Sequence, residues 1–140
     1  MKTSKYILNV TYGMFNLLKQ AGKFYTVGAT GVLINLGIIF VLTHFLGLWY
    51  IFSAAVGIVV SVTTNFLGNK HWTFGSKRKF LKEYLIFWMV SLLGTGLQLS
   101  FLYIFTEFAH LFYLLSALFA IGIASLANFT LNKFWTFRGF

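Results

Sequence analysis

Four apolar stretches separated by short polar breaks run along this chain, at residues 24–46, 50–69, 84–106 and 112–132, and no Lys, Arg, Asp or Glu falls inside any of them. A helix rises 1.5 Å per residue, so roughly 20 residues cross the ~30 Å hydrocarbon layer of a bilayer. Each stretch meets that length. The pattern predicts four transmembrane helices. Residues 1–20 read differently, with Ile7, Leu8, Val10, Met14, Phe15, Leu17 and Leu18 set among Lys, Asn and Thr. This is the pattern of an amphipathic helix lying in the membrane interface. No compact apolar run with a small-residue cleavage site precedes Phe24, so a signal peptide is not expected.

The apolar pattern also repeats. Leu17–Phe74 aligns without a gap onto Phe80–Phe137, most closely where each copy ends. There, Asn65-Phe-Leu-Gly-Asn69-Lys70-His-Trp72-Thr73-Phe74 matches Asn128-Phe-Thr-Leu-Asn132-Lys133-Phe-Trp135-Thr136-Phe137. Two spans per copy make each repeat (17–74 and 80–137) one helical hairpin, and both copies run in the same direction. The expected fold is therefore an all-α membrane protein. It has an interfacial segment over 1–20 and a four-helix domain over 21–140, built as two parallel-repeat hairpins about a pseudo-twofold axis.

Composition supports a bilayer setting: 59% of residues are hydrophobic and 9% charged, with a mean hydropathy of +0.81. A water-soluble surface needs more charge than this. Cysteine and proline are absent, which excludes disulfides, thiolate metal sites and proline kinks. The net charge of +9 comes from 11 basic residues against two acidic ones. All the lysines and arginines flank the spans on one side, and the loops near 43–49 and 107–112 hold none. That asymmetry predicts cytoplasmic termini in the cell membrane. It also argues against a nucleic-acid partner, which would be met by cations and aromatics spread over a polar face. Anionic membrane lipids are the expected neighbours of these cations.

Catalytic and metal-binding constellations are missing. There is no Asp, Glu83 and Glu107 lie at span ends, and His44, His71 and His110 lack ligand spacing. No enzymatic activity, metal or cofactor is expected. The sequons at Asn9 and Asn128 fall in a cytoplasmic segment and a span, so neither should be modified. The remaining polar positions form two layers. Asn35 and Gln98 are repeat equivalents near mid-span, either as a polar step on a pathway or as hydrogen-bonded helix glue. Asn65 and Asn69, like Asn128 and Asn132, lie four residues apart on one helix face, followed by Lys70 and Trp72 or by Lys133 and Trp135. Helix-end capping and interface anchoring account for much of this. Asn65 and Asn128 lie a turn too deep for capping. Carboxamides beside ammonium groups suit an anionic, hydroxyl-rich ligand such as a phosphate bearing a sugar. The repeat-equivalent Gly31 and Gly94 are candidates for close helix contact near the axis.

With four spans, this size and a twice-repeated Asn-Lys-x-Trp-Thr-Phe ending, the chain resembles the GtrA-like family of small membrane proteins from Lys23 onward. Its first span, opening Phe24-Tyr-Thr-Val-Gly28, is similar to the family's start. The resemblance implies a role in cell-surface polysaccharide synthesis, by flipping a polyprenyl-phosphate-linked sugar across the membrane. Alternatively it implies a non-transporting partner or scaffold for a polyprenyl-phosphate glycosyltransferase. Asn65, Asn69, Lys70, Trp72, Asn128, Asn132, Lys133 and Trp135 are the positions expected to meet the lipid phosphate and sugar. A chain of 140 residues encloses little, so a homo-oligomer or an enzyme partner is expected too. A proton-coupled exporter of this size would need an acidic residue within a span, and none is present.

Overall fold

The computed structural model describes residues 2–138, without the side chains of Lys2, Tyr50, Ile51, Tyr113 and Leu114. The extreme ends of the two expected segments, Met1 and Gly139–Phe140, lie outside the described residues. Four long helices account for most of the rest: α1 (Lys2–Phe40), α2 (Tyr50–Gly68), α3 (Phe80–Tyr103) and α4 (Tyr113–Leu131). All four are long and apolar enough to cross a membrane. The all-helical, four-span expectation therefore holds.

The chain divides into two compact units, Met1–Gly75 and Ser76–Phe140. Within the first, α1 packs along α2, and within the second, α3 packs along α4. Each unit is thus a hairpin of consecutive helices. Residues 1–20 were expected as a separate interfacial segment, but no break divides them from the first span. Helix α1 is continuous for 39 residues, about 58 Å at 1.5 Å per residue. No proline interrupts it, and Gly13 and Gly22 are accommodated within it although nothing packs against either.

Each helix ends in a widened turn in which a backbone N–H reaches five residues back instead of four. Phe74 N–H donates to Asn69 O (2.9 Å), Phe137 N–H to Asn132 O (2.9 Å) and Ala109 N–H to Ile104 O (3.2 Å). At the end of α1 the reach is wider still, with Leu48 N–H donating to Leu42 O at 3.1 Å. These turns satisfy carbonyls that a helix end otherwise strands, a strict need where no water is present. The hairpin connections then need one residue in the left-handed region. Gly47 supplies it in the first hairpin (φ 64°), while its repeat equivalent His110 adopts it with a side chain (φ 53°).

Burial is inverted relative to a soluble protein. Leu33 is 71% exposed, Leu118 65% and Phe108 72%, whereas Ser53 and Ser116 are fully buried. In lipid the apolar side chains need no shelter, so small and polar groups take the helix seams, where backbones approach closely. Phe66, Val90, Ala120 and Phe137 complete the small buried core.

Candidate functional site

The repeated ending Asn-Lys-x-Trp-Thr-Phe has a physical account at every position but one. Asn69 and Asn132 are 2% exposed, and each carboxamide oxygen accepts the hydroxyl of the threonine four residues on. These bonds, Thr73 Oγ1 to Asn69 Oδ1 and Thr136 Oγ1 to Asn132 Oδ1, are both 2.8 Å long. Asn132 also donates through Nδ2 to Asn128 O at 2.8 Å. The Asn–Thr clasp therefore holds the widened turn shut. The closing phenylalanine packs back on the first helix of its hairpin: Phe74 on Phe24 with ring centroids 6.4 Å apart, and Phe137 on Phe87 at 6.0 Å. The lysines follow the clasp, Lys70 being buried at 5% exposure and Lys133 half-buried. The variable position, His71 or Phe134, is exposed.

One turn deeper, Asn65 and Asn128 have a different task. A β-carbon on Gly31 would overlap the Asn65 carboxamide, and one on Gly94 would overlap that of Asn128. The close approach expected of Gly31 and Gly94 is thus a seat for an asparagine on the partner helix of the same hairpin. Higher in the first hairpin, Asn35 fills the space over Gly57 in the same way. The amide oxygens of Asn35 and Asn128 are buried without a hydrogen-bond partner, and Gln98 is half-buried.

Within the two hairpins the expected site residues have different surroundings. Asn69, Lys70 and Asn132 are buried, Asn128 is seated on its glycine, Asn65 and Trp72 line a groove of the first hairpin and Trp135 lines a cleft of the second. A cavity of about 490 Å³ with a cationic lining lies in the second hairpin at the N-terminal end of α3. Lys77, Arg78, Lys79, Lys82 and Arg138 surround it, with Trp135 and Glu83 in its wall. Five cations facing one half-open cleft form an anion trap, since clustered charge at a low-dielectric surface focuses the field.

Local bonding fixes the shape of this cleft. The Ser76 hydroxyl donates to the carboxylate of Glu83, which is 2% exposed, and Arg78 N–H donates to Ser76 Oγ at 3.3 Å. Arg78 Nη1 donates to Arg138 O at 3.0 Å, tying the loop to the end of α4. The sequence signalled part of this in the run Lys77-Arg78-Lys79. Lys82 follows three residues on, one turn into α3, while the addition of Arg138 depends on α3 and α4 being neighbours, which no local spacing could reveal.

The first hairpin carries a smaller groove of about 200 Å³, lined by Thr26, Thr30, Thr64, Asn65 and Trp72 together with Val27, Ile34 and Gly68. At its mouth, Lys23 Nζ donates to Trp72 O at 3.2 Å and lies 5.3 Å from the centre of the Trp72 ring.

This arrangement agrees with what the chain is similar to. Residues 23–137 match the family described as GtrA/DPMS, transmembrane domain. An uncharacterized membrane protein, YngA of Bacillus subtilis (strain 168), is 31% identical over 121 residues, spanning 86% of this chain and 80% of that protein. Four apolar helices and this match indicate a multi-pass membrane protein, and the family is consistent with a role in polysaccharide or glycan synthesis. With residues 23–137 matched, the chain belongs to the GtrA/DPMS transmembrane-domain family.

Proposed function

We propose that this protein captures a polyprenyl-phosphate-linked sugar by its acidic head group and translocates it across the cytoplasmic membrane for cell-surface polysaccharide or glycan synthesis. The observation that carries this reading is the cleft of Lys77, Arg78, Lys79, Lys82 and Arg138, held by Ser76 and Glu83 at the start of a membrane-length helix. A lipid phosphate at a membrane surface is the ligand such a cleft fits, at about 1 kcal/mol for each nearby cation. The polyprenyl chain stays among the exposed apolar side chains, so only the phosphosugar has to cross. The charge asymmetry supports a cytoplasmic side for the cleft and both termini. Consumption of the sugar on the far side supplies the driving force.

The residues assigned to the ligand shift accordingly. The cleft cations take the phosphate, and Trp72 and Trp135 sit where an interfacial head group passes. Asn69 and Asn132 hold the helix ends, and Lys70 and Lys133 complement the carbonyl ends beside them.

One observation favours the non-transporting reading, in which the protein presents polyprenyl phosphate to a glycosyltransferase. At mid-height, the cavity beside α3 is lined by Met89, Leu92, Leu93, Gly96, Leu97 and Ser100, and Asn35 is sealed against Gly57. Neither is a wet path. Proteoliposomes loaded with fluorescent polyprenyl-phosphate-hexose separate the two readings. Translocation requires the outward-accessible fraction to rise faster than in protein-free vesicles. An unchanged rate with retained head-group binding leaves the scaffold, and a homo-oligomer or enzyme partner completes either assembly.

A further inference from the structure

The basic cleft deals with charge, but the groove of the first hairpin has a different chemistry. Each of its threonine hydroxyls has one proton, and each proton is already committed to the helix backbone. Thr26 Oγ1 donates to Gly22 O (2.8 Å), Thr30 Oγ1 to Thr26 O (3.0 Å) and Thr64 Oγ1 to Ser61 O (3.0 Å). The oxygens keep their lone pairs, so what they present to the groove is acceptors only. A phosphate, itself an acceptor, gains nothing from such a wall. A ligand rich in hydroxyl donors does.

The fold does not require these threonines. At the repeat-equivalent positions the second hairpin has Met89 for Thr26, Leu93 for Thr30 and Ala127 for Thr64. Gly68, which opens the floor of the groove against Val27, is matched by Leu131. The same hairpin skeleton is therefore built without these three hydroxyls, around a cavity lined mostly by Met89, Leu92, Leu93 and Leu97 instead, so the hairpin fold does not demand them. Back-bonding does explain why threonine is tolerated in a span. It does not explain why three of them share a wall with the Asn65 carboxamide and Trp72. The indole, 52% exposed and held beneath the Lys23 ammonium, offers an amphipathic ring at the entrance.

We infer that this groove is a binding site for a single neutral sugar ring. Thr26, Thr30 and Thr64 accept its hydroxyl protons, and Asn65 and Trp72 complete the wall. A volume near 200 Å³ is on the scale of one monosaccharide. The inference rests on the reading that the ligand is a lipid-linked sugar, and it adds that the groove of the first hairpin takes the sugar ring.

The test compares two probes on the intact chain in nanodiscs, polyprenyl phosphate and polyprenyl-phosphate-hexose, with affinities read by native mass spectrometry. The wild type should prefer the hexose conjugate about tenfold, the scale of two modest hydrogen bonds. Thr30→Val with Thr64→Val, near-isosteric and helix-compatible, should remove that preference and leave affinity for the bare phosphate unchanged. Thr30→Ser, which restores an acceptor oxygen, should keep it. A preference that survives both valines, or a wild type with none, overturns the groove while leaving the phosphate reading intact. A wild type that binds neither probe overturns both.

Discussion

At the mouth of the first hairpin Lys23 lies across Trp72, whereas the matching residue in the second is Ile86, and the cations stand instead on the loop Lys77–Lys79 and at Lys82 and Arg138. Deeper in, the first hairpin has hydroxyls where the second has Met89, Leu93 and Ala127. Beneath these differences both hairpins keep the Asn–Thr clasp, the asparagine seated on glycine and the phenylalanine folded back onto α1 or α3. What the copies share serves to build a hairpin in lipid. What they do not share is where the proposed ligand contacts lie, cations in the second hairpin and hydroxyls in the first.

The comparison predicts its largest effect at the cleft. Lys77→Gln, Lys79→Gln and Lys82→Gln together remove about 3 kcal/mol of attraction to an anionic head group, near a hundredfold in affinity. Arg78 is left in place because it braces the loop. Detergent-phase titration with polyprenyl phosphate reads the loss. A loss under threefold would move the anion site away from the second hairpin.

Next come the glycine seats. Gly31→Ala and Gly94→Ala each force a carboxamide out of its place, costing about 1–3 kcal/mol by overpacking. Thermal unfolding in detergent, followed by size exclusion, should show both variants destabilised to a similar degree. If only one is affected, the seat is not part of the shared skeleton.

The clasps should weigh less. Thr73→Val and Thr136→Val each leave a buried asparagine oxygen short of a donor, at about 1–3 kcal/mol. Amide exchange measured by mass spectrometry should rise at Phe74 and Phe137 respectively, and nowhere else. Protection left unchanged would strip the threonine of this role.

The smallest change concerns the outer connections. His110→Gly removes a side chain from a left-handed backbone, and should stabilise the second hairpin by up to about 1 kcal/mol. Gly47→Ala should do the reverse in the first. Opposite shifts in the unfolding midpoint are the expected result, and a destabilised His110→Gly would mean that the imidazole is held there by contacts of its own.

The helices could be read from the chain because hydropathy registers length, and length decides what spans a bilayer. The duplication was equally legible, since it needs only a comparison of the chain with itself. The partners of the asparagines were not. The Asn69–Thr73 clasp joins residues four apart, yet it forms because the helix end widens, and no sequence periodicity reports that widening. The seats of Asn65 and Asn128 depend on the register of two helices across a hairpin, which is a tertiary fact. Lys77, Arg78, Lys79 and Lys82 lie close together in the chain, while Arg138 joined them only once α3 and α4 were side by side. The continuity of α1 through residue 20 was hidden for another reason. The change there is one of polarity, and polarity marks where the solvent changes, not where a helix stops.

That continuity has a mechanical side. Helix α1 is nearly twice as long as a bilayer core is thick, and the two glycines in its protruding half, Gly13 and Gly22, touch no neighbour. Relative to alanine, each weakens the rod by roughly 1 kcal/mol at its own position. The protruding arm thus rests on its own backbone hydrogen bonds, with the glycines as its weakest points.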